Sequence, residues 1–137
     1  MSAGVIVGYD GSECAKAALR AGAEVAKAYG DKLIVAFGYE LNPIAGEMRD
    51  YQLALRDLAT KRLEEAKALV SGEVDAVIVE RAPAHALVDL ADERDARVIV
   101  VGTRGESPLR GALLGSTPHK LLQLSDRPVL VVPAPAD

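Results

Sequence analysis

The segment ARVIVVGTRGESPLRGALLGSTPHK, residues 96–120, joins three patterns in succession. Its first part is a continuous apolar run rich in valine and isoleucine, which is typical of a β-strand covered on both faces. The run ends at Gly102, and Gly105 and Gly115 punctuate the residues that follow. Ser116 and Thr117 then open a stretch with helical spacing. The segment therefore predicts a buried strand, a glycine-containing loop and a helix.

Four further runs of the same kind occur along the chain: GVIVGYD (4–10), KLIVAFGYE (32–40), VDAVIVERA (74–82) and RPVLVVP (127–133). Amphipathic helical patterns lie between them, the first capped by Ser12 and stopped by Gly30, the third opened by Pro83. Strands that alternate with helices over short connections form right-handed crossovers in a parallel sheet. We therefore expect an α/β fold with an open, three-layer α/β/α sheet of five parallel strands in the order 3-2-1-4-5.

Length and composition limit the class of protein. The chain has 137 residues, half of them hydrophobic, which fits one domain over residues 1–137. A net charge of −4 argues against nucleic acid as a partner, because such binding needs clustered Lys and Arg. The single cysteine, Cys14, suits a reducing compartment. With neither a signal-peptide pattern nor an apolar run of about 20 residues, we expect a cytoplasmic protein without a membrane partner.

Two unusual loops are predicted to face each other. Open α/β sheets bind ligands at the carboxyl ends of the strands, where the strand order reverses. In the predicted order the reversal lies between strands 1 and 4, which are followed by YDGS (9–12) and by the glycine loop. Glycines let backbone N–H groups approach an anion, and a helix N-terminus adds unpaired donors. The crevice therefore favours a phosphate-bearing ligand.

Alternative interpretations accompany these loops. Asp10 either accepts hydrogen bonds from ribose hydroxyls or an adenine amino group, or caps helix 1 beside Ser12. The three glycines either hold phosphate or form a long surface turn that needs positive φ for its own path. The chain lacks GxxxxGK[ST], and GxGxxG does not follow strand 1, which argues against a P-loop NTPase and a dinucleotide-binding enzyme.

Dedicated catalytic and metal sites are not predicted. The nucleophile and base candidates, Cys14, His85 and His119, fall on three different predicted helices. The acids of helix 3, Asp89, Asp92 and Glu93, have no His or Cys beside them and are interpreted as a solvated face. We therefore expect no dedicated catalyst.

The spacing Gly102-x2-Gly105-x9-Gly115-Ser116 resembles the G-2x-G-9x-G-(S/T) signature of the ATP-binding branch of the universal stress protein family. The resemblance spans essentially the whole chain, because VGYDGSECAKAAL, RVIVVGTRG and RPVLVVP are similar to the family's first, fourth and last strands. It implies a Rossmann-like fold that binds ATP, with ADP or AMP as alternatives and Mg²⁺ accompanying the phosphates. Since no dedicated catalyst is predicted, we expect at most slow ATP hydrolysis. It also implies a homodimer through the last strand, Val129 to Val132, and a nucleotide-responsive stress regulator that acts on an unidentified regulatory protein.

Carried over to this chain, the resemblance assigns the adenosine contact to Asp10 and the neighbourhood of the base to the backbone near Phe37. Residues implied to line the ribose and phosphates are Gly102, Arg104, Gly105, Gly115, Ser116 and Thr117. Two departures stand out. Ala82 replaces a glycine in a turn expected outside the crevice, and Thr117-Pro118 stands where many members have Val followed by Ser or Thr. The ring of Pro118 donates no hydrogen bond.

A different class of function also fits the sequence. The apolar run PVLVV (128–132) at a sheet edge invites pairing with another chain. The alternative is therefore a nucleotide-free homodimeric interaction module of the same fold. Under the nucleotide-binding hypothesis, occupancy is expected to order residues 102–117, which would appear as a difference in hydrogen exchange with and without ATP.

Overall fold

The computed structural model describes residues 3–39, 48–104 and 114–134, with only the backbone of Met48. Five strands and four helices alternate along these residues: β1 (Gly4–Gly8), α1 (Glu13–Tyr29), β2 (Lys32–Gly38), α2 (Met48–Leu69), β3 (Asp75–Val79), α3 (Pro83–Arg94), β4 (Val98–Gly102), α4 (Ser116–Leu124) and β5 (Val129–Val132). All neighbouring strands pair in parallel, in the order β3-β2-β1-β4-β5. The predicted fold class and strand order are confirmed.

The core lies on both faces of the sheet. In the central strand β1, Val5 and Val7 pack with α1 and α2 on one face, whereas Ile6 packs with α3 and α4 on the other. All three side chains are fully buried. This two-sided burial explains why the strand sequences run continuously apolar instead of alternating. None of the helices in the described ranges is long and apolar enough to cross a bilayer.

Helix α1 begins and ends at the predicted residues. The Ala15 N–H donates to Ser12 Oγ over 3.1 Å, so Ser12 caps the helix. At the other end Gly30 adopts the left-handed conformation, with φ 69°. Between them Gly22 faces β1, and a Cβ built there would lie 2.4 Å from Val7 Cγ2. The helix therefore packs against the sheet more closely than a side chain at this position would permit.

Replacing Ser12 with alanine should lower the free energy of unfolding by about 1 kcal/mol, because the Ala15 N–H loses its acceptor. Urea denaturation followed by circular dichroism measures the effect. Ser71→Ala is a matched control, because Ser71 is exposed and is expected to leave the unfolding midpoint unchanged. Equal midpoints for Ser12→Ala and the wild type would show that the cap contributes nothing.

Candidate functional site

A cavity of about 370 Å³ opens at the carboxyl ends of β1, β2 and β4. This is where strand order reverses, and the volume is in the range of small-molecule sites, roughly 300–1,000 Å³. Seven of the residues assigned from the sequence line its wall: Asp10, Phe37, Gly102, Arg104, Gly115, Ser116 and Thr117. The eighth, Gly105, lies outside the described residues. The fold thus brings together two segments that are about ninety residues apart in the chain.

An apolar part of the wall was not anticipated from the sequence. It is formed by the ends of the strands and the start of α3: Gly8, Ala36, Gly38, Pro83, Leu87 and Val101. Ala82, whose turn is expected from the sequence to lie outside the crevice, does not line the cavity, but the next residue, Pro83, does. The sequence contained one indication of this part of the wall, which is the glycine that ends β2, Gly38. A Cβ there would meet Pro83 Cα at 3.1 Å, so the strand end and α3 approach closely.

Asp10 holds the turn between β1 and α1. Its Oδ1 accepts a hydrogen bond from the Ser12 N–H over 2.9 Å, and Gly11 continues the turn with φ 89°. The same carboxylate is half-buried and lines the cavity, and Oδ2 has no protein partner within the ranges that the structure describes. Asp10 therefore fixes the turn before α1 by binding the N–H of the N-cap residue, whereas Ser12 caps the helix itself.

Close approach, not positive φ, accounts for the two described glycines of the loop. Neither Gly102 nor Gly115 has positive φ, so the surface-turn explanation does not apply to them. A Cβ on Gly102 would lie 2.5 Å from Cys14 Cβ, and one on Gly115 would lie 3.0 Å from Arg104 Cα. The Gly115 N–H donates to the Thr103 carbonyl over 2.6 Å. The hydrogen bond and the close approach at Gly115 place the start of α4 against the end of β4, and the close approach at Gly102 places β4 against α1.

The start of α4 lies at the cavity and has the features of an anion-binding site. Gly115 is the N-cap, and Ser116 and Thr117 are the first helical residues. Unpaired N–H groups and the positive end of the helix dipole stabilise negative charge at such a position. Arg104 is exposed beside them and supplies a positive charge. His119 is exposed and does not line the cavity. The arrangement can hold an anion at one end of a partly apolar cleft.

The family model of the universal stress proteins matches residues 1–133. The chain belongs to the universal stress protein family. A universal stress protein encoded in the 3′ region of the QAH/OAS sulfhydrylase gene of Thermus aquaticus is 33% identical over 132 residues, which cover 93% of this chain and 96% of that protein. The resemblance inferred from the glycine spacing is thereby confirmed at the level of the family.

Solved structures agree with the fold. The structure of MJ0577 from Methanocaldococcus jannaschii superposes with a TM-score of 0.85 over 100% of this chain and 99% of that chain, at 24% identity. A universal stress protein in complex with cAMP superposes with a TM-score of 0.71 over 97% of this chain and 98% of that chain, at 31% identity. The chain therefore shares the overall fold of these solved structures.

Cys14 lies behind the cavity wall of this universal stress protein. Its Sγ is 3.4 Å from Thr103 Oγ1, and the residue is only 6% exposed. Burial acts to raise the pKa of the thiol, but hydrogen bonds from the Thr103 hydroxyl and the backbone N–H groups of Ala134 and Arg104 outweigh it. The pKa of Cys14 therefore lies below its ordinary value.

Neither Cys14 nor His85 lines the cavity, and the described residues contain no cluster of three or more His, Cys, Asp or Glu suited to a metal.

The lowered pKa of Cys14 predicts a pH-dependent contribution to stability. A thiol with a lower pKa in the folded state stabilises the fold fully above its unfolded pKa, and this contribution is lost as the pH falls through the folded pKa. The stability advantage of the wild type over Cys14→Ala should therefore be larger at pH ~9 than at pH ~7. Urea denaturation at both pH values measures it, and a constant difference would contradict the assignment.

Proposed function

We propose that the cavity binds an adenine nucleotide and that the protein acts in the cytoplasm as a nucleotide-responsive stress regulator, without a turnover reaction of its own. The observation that carries the proposal is one cavity with an apolar wall, a carboxylate and a helix N-terminus beside an arginine. The similar universal stress protein in complex with cAMP supports the choice of ligand. From the sequence, ATP, ADP and AMP are all candidates.

The chemistry of the wall suggests how the ligand lies. The base packs against the apolar part formed by Ala36, Pro83 and Leu87, since ligand sites bury most of the ligand surface on apolar side chains. Asp10 accepts hydrogen bonds from the ribose hydroxyls through the oxygen that the β1–α1 turn does not use. The phosphate end meets the start of α4, and Mg²⁺ enters with the phosphates and takes most of its ligands from them and from water.

A link to the sheet edge supports a regulatory role. The Thr103 N–H donates to the Val132 carbonyl over 3.0 Å, and β4 pairs with β5 from Ile99 to Gly102. The strand that ends at the cavity is thus bonded directly to the edge strand. We propose that β5, Val129–Val132, pairs two copies of the chain in a homodimer. Leu130, which is 39% exposed on this edge, would be covered there, and nucleotide binding would be sensed at the interface or by a regulatory protein.

Isothermal titration calorimetry of nucleotide-stripped protein tests the ligand. ATP, ADP, AMP and cAMP are titrated in the presence of Mg²⁺, with GTP as the control for base selectivity. We expect at least one adenine nucleotide to bind with micromolar affinity, roughly −8 kcal/mol, and GTP to bind more weakly. An absence of heat for every adenine nucleotide up to millimolar concentration would refute nucleotide binding.

The alternative function, a nucleotide-free homodimeric interaction module, is favoured by the exposed apolar residues near β5. Leu122 is 57% and Leu124 is 41% exposed on α4. Sedimentation of Leu130→Lys compared with the wild type tests the proposed interface, because a lysine on an edge strand opposes pairing. A dimer without nucleotide affinity would favour the module, whereas a dimer with adenine affinity would favour the regulator.

A further inference from the structure

We propose that Arg62, on α2, is a positioning residue for the nucleotide site. It supports the turn that carries Asp10, and it thereby sets how strongly the site distinguishes a ribonucleotide from an analogue that lacks the ribose hydroxyls. Arg62 does not line the described cavity wall, so it acts through Asp10 and not on the ligand. This role rests on the proposed function, in which Asp10 accepts hydrogen bonds from the ribose.

Arg62 lies directly against the β1–α1 turn. Gly11 follows Asp10 in this turn and has φ 89°. A Cβ built on Gly11 would lie 2.8 Å from Arg62 Cδ, 2.8 Å from Nε and 2.9 Å from Cζ. The end of the arginine side chain therefore occupies the space that a side chain at position 11 would fill. The turn cannot move towards α2 without displacing Arg62.

The arginine is itself held in place. Its side chain is 26% exposed, and Nη1 donates to Oε1 and Oε2 of Glu65 over 3.1 Å and 3.0 Å. The next residue, Leu63, is buried in the same core cluster as Tyr9, which precedes Asp10 in the chain. A charge-assisted hydrogen bond to a planar guanidinium restricts its orientation. Arg62 is therefore a fixed support on a helix that is anchored in the core.

The charge of Arg62 also stands among carboxylates at this turn. Burial, together with the charges of Glu65, Asp10 and Glu13, raises the pKa of Tyr9, and the charge of Arg62 opposes this shift. The four charged groups therefore surround one buried tyrosine. A ligand that covers Asp10 removes water from its carboxylate, which is costly for a charge without a partner. A positive charge nearby offsets part of that cost.

The ribose contact is the part of the site that depends on the direction of this carboxylate. Asp10 Oδ1 accepts a hydrogen bond from the Ser12 N–H over 2.9 Å, which leaves Oδ2 for a ligand. Hydrogen bonds weaken steeply as their geometry departs from linear. The apolar wall and the start of α4 belong to other elements than this turn. Loss of Arg62 should therefore weaken ribose recognition selectively.

Calorimetric titration with AMP and ATP, each compared with its 2′,3′-dideoxy analogue, tests the role. In the wild type we expect the ribonucleotide to bind about tenfold more tightly than the analogue, as for the loss of one charge-assisted hydrogen bond or more. In Arg62→Ala this ratio should fall to about threefold or less, mainly through weaker binding of the ribonucleotide. A merely structural loosening would weaken both ligands equally and leave the ratio unchanged.

Lys61→Ala is the matched control. Lys61 precedes Arg62 on α2 and is exposed, so its loss removes a positive charge from the same helix without removing the support of the turn. The ratio should equal that of the wild type. Arg62→Lys is a second variant, which keeps the charge but loses the planar group and the pairing with both oxygens of Glu65. We expect its ratio to lie between those of the wild type and Arg62→Ala.

The outcomes separate this inference from the proposed function. If neither AMP nor ATP binds to the wild type, the proposed function fails and the role of Arg62 fails with it. If the nucleotides bind but the dideoxy analogues bind equally well, the site stands and the inference fails. If the wild type discriminates and folded Arg62→Ala and Arg62→Lys discriminate to the same degree, Arg62 is not a positioning residue. Thermal unfolding checks the fold of each variant, and Arg62→Lys keeps the test available where the alanine variant does not fold.

Discussion

Gly115→Val should abolish nucleotide binding, with an affinity loss of at least about 100-fold, while the protein remains folded. The backbone at Gly115, with φ −72° and ψ 176°, accepts any residue. A Cβ would nevertheless lie 3.0 Å from Arg104 Cα and 3.4 Å from Arg104 Cβ, so the valine displaces the arginine and fills the space beside the α4 donors. Loss of two or more charge-assisted hydrogen bonds gives an effect of this size, about 3 kcal/mol.

Calorimetric titration with AMP and ATP measures that loss, and thermal unfolding checks the fold. Valine is a poorer N-cap than glycine, so a destabilisation of about 1 kcal/mol is expected and is compatible with a folded protein. Gln123→Val, in the last turns of α4, is the control for a β-branched residue in this helix and should bind like the wild type. If folded Gly115→Val bound both nucleotides at wild-type affinity, the start of α4 would not be the phosphate site.

Gly102→Ala should lower the free energy of unfolding by about 2–3 kcal/mol, although it adds one methyl group. The new Cβ would lie 2.5 Å from Cys14 Cβ, 2.7 Å from Cys14 C and 2.9 Å from Cys14 O. Two of these atoms belong to the backbone in the first turn of α1, so the helix itself must move to relieve the overlap. Overpacking against atoms that cannot rotate away costs about this much.

Gly4→Ala is the matched control for this prediction. Its Cβ would also overlap a neighbour, at 2.7 Å, but the neighbouring atom is Ile34 Cδ1, the end of a side chain that can rotate. We expect Gly4→Ala to cost clearly less than Gly102→Ala in chemical denaturation. If both variants lost the same free energy of unfolding, the close approach of β4 to α1 would not be the reason that position 102 requires glycine.

The fold was largely predictable because its signals are local. Continuous apolar runs indicate strands buried on both faces, and Ser12, Gly30 and Pro83 mark helix ends through their own backbone chemistry. Alternation of strands and helices leaves few arrangements when crossovers are right-handed. The strand order 3-2-1-4-5 and the family membership followed from these features and from the glycine spacing.

The candidate site was predictable in part. The residues with polar chemistry, such as Asp10 and Ser116, follow strand ends and could be assigned to the crevice from sequence. The apolar wall could not, because Ala36, Pro83 and Leu87 belong to patterns that every buried strand or helix shows. The packing that requires glycine at position 102 could not be predicted either, because Cys14 is 88 residues away in the sequence and its contact leaves no local pattern.

The chain's own pattern of apolar runs, caps and glycines was sufficient to predict the sheet, its topology and most of the polar residues that line the candidate site. Each of these depends on residues that are close together in the sequence. Tertiary packing settled how many donors the start of α4 presents. The Gly115 N–H is consumed only because α4 is drawn onto the Thr103 carbonyl, and Pro118 becomes part of a cavity wall only because the helix start is buried there. Hydrogen-bond capacity at a site depends on which groups are already paired, and that pairing exists only in the folded chain.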